Sequence, residues 1–198
     1  MTTAVVVLID GFEEIEALAT VDILRRGGVD VTTASLTDSQ VVTGGHNIPV
    51  QADAMFADVD AQGADVLIIP GGTTAFDDHE GLKKEVVARA EADKYCGRDL
   101  RCPHGAGWAG LAEGQERNLL PGFREVLRGC SHSGCSAVVD GKIITGHGPG
   151  WALEFALSIL AEVVSVEKSA EVRSGDCCWM APTFPSRASH RAPNGDPS

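Results

Sequence analysis

The apolar positions of this chain change period in the order expected of an α/β protein. Ala4 to Ile9 is an unbroken aliphatic run, the pattern of a strand covered on both faces of a parallel sheet. Asp10, Gly11 and Phe12 turn the chain, and the spacing then becomes helical. From about Glu13 to Arg26, residues Ile15, Leu18, Val21, Ile23 and Leu24 supply most of an apolar face. Glu13 and Glu14 stand at the positive end of the helix dipole, Arg25 and Arg26 at the negative end, and Gly27-Gly28 stops the helix. Val29 to Ser35 reads as the next strand, which completes a βαβ unit.

Val41 to Val50 reads as a hairpin or edge pair around a tight Gly44-Gly45 turn. Asp65 to Ile69 is a further apolar strand after its first residue and ends at Pro70-Gly71-Gly72. Gly81 to Ala92 has helical spacing, with Leu82, Val86 and Val87 inward and Lys83, Lys84, Glu85 and Arg89 mostly outward. Ala137 to Val139 and Lys142 to Thr145 flank Asp140-Gly141, a hairpin signal. The loop Gly146 to Gly150 leads into a helix from Trp151 to Val164, with Leu153, Ala156, Leu157 and Leu160 on one side. Neither an internal repeat nor a linker divides this pattern, so one domain is expected over residues 1–175.

Tyr95 to His104 breaks the pattern where the central strand and its nucleophile-bearing turn belong. Arg98, Asp99 and Arg101 would bring three charges into the core, at several kcal/mol each unless paired. One choice among the synonymous codons for these residues is TAC TGC GGC CGC GAT CTG CGC TGC CCC CAT. Read one base later, the same bases give Thr-Ala-Ala-Ala-Ile-Cys-Ala-Ala-Pro, an apolar strand ending in cysteine. The shifted frame carried to Asn118, Leu119 and Leu120 gives Thr-Cys-Tyr, which joins the written Pro121-Gly122-Phe123. Tyr95 to Leu120 is therefore read as frame-shifted text. From Asp176 to Ser198 the composition turns to Pro, Ser, Arg, His and Gly, either a disordered tail or a second shift near Gly175, since Asp-Cys-Cys-Trp-Met-Ala can become Leu-Leu-Leu-Asp-Gly.

Charge and length narrow the partners. A formal charge of −12 and a pI near 4.8 lack the basic footprint that nucleic acid or an anionic membrane requires. No apolar run reaches the ~20 residues of a membrane span. The N-terminal stretch lacks a basic region and cleavage site, so a cytoplasmic protein is expected. Of the six cysteines, Cys96 and Cys102 fall in the suspect segment and Cys177 and Cys178 in the suspect tail. Cys130 and Cys135 remain, in a composition unlike that of a disulfide scaffold.

Four motifs stand in a recognisable order: Val7 to Glu16, Val21 to Gly28, Ile68 to Gly72, and Gly148-Pro149-Gly150 with Glu154 to Leu157. Together they resemble the ThiJ/PfpI superfamily, in its branch of the Parkinson-associated deglycase and bacterial relatives. The shifted Ala-Ile-Cys-Ala-Ala-Pro is similar to the nucleophile turn of that family. The resemblance implies a flavodoxin-like α/β sandwich with a mostly parallel central sheet, usually as a homodimer. It also implies a cysteine thiolate hydrogen-bonded by a glutamic acid from the first βα loop, with backbone N–H groups of the Pro-Gly-Gly turn near the reacting oxygen. Activities implied are glyoxalase-type conversion of methylglyoxal, deglycation, and chaperone or oxidative-stress roles. Older labels include thiamine biosynthesis and intracellular proteolysis.

Glu16 matches the family glutamate. Held against a thiol, its carboxyl would be protonated and donate to the thiolate, bringing the sulfur into the reactive range; otherwise it is a solvated helix acid. Gly71 and Gly72 would aim N–H groups at developing negative charge, or simply turn the chain. Cys102 is the written cysteine nearest the family position, and it is an accident of frame if the shift is real. His132, between Cys130 and Cys135, suits a proton shuttle better than a metal ligand, because the loop offers no fourth ligand for a tetrahedral site. His147 lines the pocket, and His46 and His79 read as surface loop residues. No metal, nucleotide or flavin fingerprint is present, so no cofactor is expected. The functional expectation is a cysteine enzyme for small reactive carbonyls, with a redox-sensing chaperone and a peptidase as alternatives.

Overall fold

The computed structural model describes residues 1–99 and 137–175. Their sheet has seven strands: β1 (Thr3–Leu8), β2 (Asp30–Ser35), β5 (Ala54–Met55), β6 (Val66–Ile69), β7 (Tyr95–Asp99), β8 (Ala137–Asp140) and β9 (Ile143–Gly146). They run in the order β5-β2-β1-β6-β7-β9-β8, parallel throughout except for β8, which pairs antiparallel with β9. A separate antiparallel ribbon joins β3 (Val41–Thr43) to β4 (Pro49–Gln51). The helices are α1 (Glu14–Arg26), α2 (Ala75–Asp78), α3 (Glu80–Glu91), α4 (Ala152–Val163) and α5 (Val166–Ser174). This is the expected flavodoxin-like α/β sandwich. No helix among the described residues is long and apolar enough to cross a membrane.

The expected elements form within a residue or two of their sequence limits, and the core explains why. β1 and β6 are buried along nearly their whole length, as strands covered on both faces must be. Strand order reverses at β1 and β6, and open α/β sheets place their ligand crevices outside the strand ends at such a point. Helices α1 and α4 pack so closely that a Cβ at Gly27 would lie 2.3 Å from Leu160 Cδ1.

Three expectations need correction. The written Tyr95 to Asp99 does form an inner strand, β7, between β6 and β9. Successive side chains point to opposite faces. Gly97 faces Phe155 and Ile159 of α4, while Arg98 donates from Nη1 to Asp77 Oδ1 of α2 at 2.6 Å. Asp99, wholly buried, accepts the Gly148 N–H at 2.7 Å. The charges are therefore paired or hydrogen-bonded rather than bare. Arg101 lies outside the described residues.

Arg89, expected outward, is fully buried. Its guanidinium donates to the carbonyls of Ala61, Ala64, Asp65 and Tyr95, tying the loop before β6 to the start of β7. On α1, Ile15 and Leu18 are exposed, whereas Glu14 and Glu16 are buried. The helix has turned its acidic edge into the protein.

Candidate functional site

Glu13 starts the site. Its extended backbone makes it the N-cap of α1, where its Oε2 accepts the Glu16 N–H at 2.7 Å and satisfies a donor that no helical carbonyl can reach. The Glu13 N–H donates to Gly71 O at 2.9 Å. The turn after β1 is thereby fastened to the turn after β6.

Glu16 follows on the first helical turn, 1% exposed. Its Oε2 accepts the Gly71 N–H at 2.6 Å, a charge-assisted distance if the carboxyl is ionised. A Cβ at Gly71 would sit 2.6 Å from that oxygen and 3.2 Å from Asp99 O. Only glycine lets the β6 turn, the end of β7 and the carboxyl share this space. Gly72 has φ +104°, and a Cβ there would lie 2.4 Å from Glu13 N. Gly148, held by Asp99, brings the loop after β9 to the same place, with its Cβ position 3.9 Å from Glu16 Oε1. The ends of β1, β6, β7 and β9 thus converge on one buried carboxyl.

The expected site residues fare unequally. The fold places Glu16, Gly71 and Gly72 next to one another. The Gly71 amide, however, is already engaged by Glu16, which leaves Gly72 as the turn's remaining candidate oxyanion donor. Cys102 and His132 lie outside the described residues, as do Cys130 and Cys135. The cysteine that is described, Cys96, is buried in β7. Burial pushes its thiol up to about 12, although Arg89 and Arg98 pull the other way. A sulfur so placed stays protonated and inert.

His147 lies half-buried beside Gly148, and its buried Nδ1 has no hydrogen-bond partner among the described residues. His79 is more than a loop residue: Nδ1 accepts the Leu82 N–H at 3.0 Å and caps α3. His46 is exposed, but its ring meets the buried Glu14 at 2.7 Å. Glu13, Glu14 and His46 form the group of potential metal ligands found among the described residues. Its oxygens already accept hydrogen bonds from Glu16 and His46. The Glu13 cap was legible in the Glu-x-x-Glu spacing, a relative of the capping box. Nothing in the sequence around Asp99 announced its tie to Gly148.

The DJ-1/PfpI family model matches residues 2–162. Protein DJ-1 homolog B of Arabidopsis thaliana is 32% identical over 167 residues, 82% of this chain but 38% of its own length; the chain thus spans well under half of that relative. A Caenorhabditis elegans protein named glutathione-independent glyoxalase DJR-1.2 is 30% identical over 166 residues, 79% of this chain and 86% of that protein. The crystal structure of Drosophila melanogaster DJ-1beta superposes with a TM-score of 0.71 at 26% identity, covering 88% of this chain and 96% of that one.

Proposed function

Because the chain belongs to the DJ-1/PfpI family, we propose that it is a cofactor-independent cysteine enzyme for small reactive carbonyls, converting methylglyoxal to lactate in a stress-protective role. The observation that carries this reading is Glu16: a carboxyl 1% exposed at the switch point of the sheet, held against the Gly71 amide at 2.6 Å. A buried acid in such a crevice is the environment that tunes proton transfer.

The nucleophile belongs at the end of β7, and we assign it to the shifted frame. There the strand reads Thr-Ala-Ala-Ala-Ile and cysteine follows at position 100. The position of β7 favours this reading, since an inner strand flanked by β6 and β9 is normally apolar. Alanine at position 97 brings a Cβ to 3.1 Å from Ile159 Cδ1, tight against a side-chain end that can move. Residues 176–198 are assigned to a second shift.

The chemistry needs water alone as co-reactant. The thiolate adds to the aldehyde carbon, forming a C–S bond and an oxyanion that takes up a proton to give a hemithioacetal. The Gly72 amide faces that oxygen as it becomes negative. The proton on the aldehyde carbon moves to the neighbouring keto carbon and the hydroxyl proton passes to the keto oxygen, with Glu16 and a histidine, His132 or His147, as carriers. The product is a lactoyl thioester. Water cleaves its C–S bond, releasing lactate and the thiol.

Ile15 and Leu18 of α1 and Val41 and Ile48 of the hairpin are exposed apolar side chains, surface of the kind that a homodimer would cover. Turnover of methylglyoxal without glutathione, abolished in Glu16→Ala, is the expected result. An active Glu16→Ala variant contradicts the mechanism. Wild-type protein that is oxidised by peroxide at its cysteine but turns over no carbonyl substrate points to a redox-sensing chaperone instead.

A further inference from the structure

The β3–β4 hairpin reaches the start of α1 through one buried carboxylate. Glu14 is 5% exposed. Its Oε1 accepts the His46 backbone N–H and its Oε2 meets His46 Nδ1, each at 2.7 Å. Burial pushes the Glu14 carboxyl up, and the His46 hydrogen bonds outweigh this, leaving it below the ordinary carboxylate value. Position 44 must be glycine for the carboxylate to fit, because a Cβ there would lie 2.3 Å from Glu14 Oε1.

Backbone bonds flank this contact on both sides. Gly45 N–H donates to Phe12 O and Gly11 N–H to Thr43 O, each at 2.8 Å. Thr43 N–H donates to Asp10 Oδ1 at 2.9 Å. The turn from Asp10 to Glu14 is thus held by the hairpin on one side and by Gly71 on the other.

We propose that Glu14, Gly44 and His46 form a clasp that positions Glu16. Helix ends fray unless their groups are tied, and Glu14 ties the first turn of α1 to the hairpin. Glu16 lies two residues further along that same turn. With the clasp shut, the Glu16 carboxyl is directed at the Gly71 amide. With it open, the first turn loosens and that hydrogen bond lengthens. Glu14 and His46 act through Glu16 rather than on substrate, so they are positioning residues. The consequence for turnover rests on the function proposed above, whereas the geometric claim stands without it.

The test uses the isotopically labelled full-length protein and its His46→Ala, His46→Asn and Gly44→Ala variants. Hydrogen exchange of the Gly71 amide reports the Glu16 contact directly, and the Ile68 amide in β6 reports global opening. His46→Ala and Gly44→Ala should speed Gly71 exchange roughly tenfold, the scale of one lost charged hydrogen bond, with Ile68 unchanged. His46→Asn, whose side-chain amide can stand where Nδ1 does, should return Gly71 towards the parent rate. In the same proteins kcat/KM for methylglyoxal should fall about 10- to 100-fold, mostly in kcat, as misplacement of a catalytic group implies. Gly71 exchange unchanged in both variants, or Gly71 and Ile68 accelerating together, overturns the clasp. A parent protein without turnover refutes the proposed function, while the exchange measurement still decides the clasp.

Discussion

Strands β1 and β7 lie one strand apart in the same sheet, and both are buried, yet they are held by different physics. β1 is aliphatic from Ala4 to Leu8 and needs only the burial of its side chains, each contributing about 1.5–3 kcal/mol. β7, as written, buries an arginine and an aspartate. Among the described residues, Arg98 pairs with Asp77 and Asp99 accepts from Gly148. Apolar burial is distributed over many neighbours and degrades gradually. A buried ion pair is concentrated in two side chains, so removing one of them costs several kcal/mol at a single step.

For the chain as written the largest effect is on this pair, which the apolar strand of the shifted frame would lack. Asp77→Ala should cost about 3–5 kcal/mol in urea unfolding, and Asp77→Leu combined with Arg98→Leu should recover most of it. A cost below about 1 kcal/mol for Asp77→Ala would show that β7 does not depend on the pair. On the other strand, Leu8→Ala should cost about 3 kcal/mol from the cavity it leaves, with no compensating second substitution available at a charged neighbour.

Glu14→Gln should cost about 1–2 kcal/mol near neutral pH, and here pH gives the sign. The folded carboxyl titrates below the unfolded value of 4.5. Its stabilisation is therefore fully present above that value and is lost as pH falls through the depressed folded one. Thermal melts of parent and variant should differ at pH 6 and converge only at a pH below the unfolded value of 4.5. The smallest effect concerns Cys96 of the chain as written, a position that the shifted frame fills with alanine. Buried and pushed up to about 12, it should take no iodoacetamide in the native protein at pH 7.5, and labelling seen by mass spectrometry would mean that β7 opens readily.

The parts legible in the sequence were those stabilised locally or by simple burial. The aliphatic runs of β1 and β6, the double glycine after α1 and the Asp140-Gly141 turn each carry their cause within a few residues. Ile15 and Leu18 misled because helical spacing shows that a face exists, not which of two adjacent faces the rest of the fold will satisfy. Glu14 and Glu16 can be buried since His46 and Gly71, 32 and 55 residues away, supply donors. Arg89 goes inward for the same reason, its donors met by carbonyls of distant loops. In the site itself, motif spacing marked Glu16, Gly71 and Gly72. The use of the Gly71 amide by Glu16, and the approach of Asp99 to Gly148, depend on strand register that no local pattern encodes.

The claim on which the functional account turns is that a cysteine follows β7, at position 100. Peptide mass mapping of the protein expressed from its gene, across residues 95 to 120, tests it most directly. The account predicts a tract reading Thr-Ala-Ala-Ala-Ile-Cys-Ala-Ala-Pro in place of Tyr95 to Pro103. Recovery of the written Tyr-Cys-Gly-Arg-Asp-Leu-Arg-Cys-Pro would contradict it.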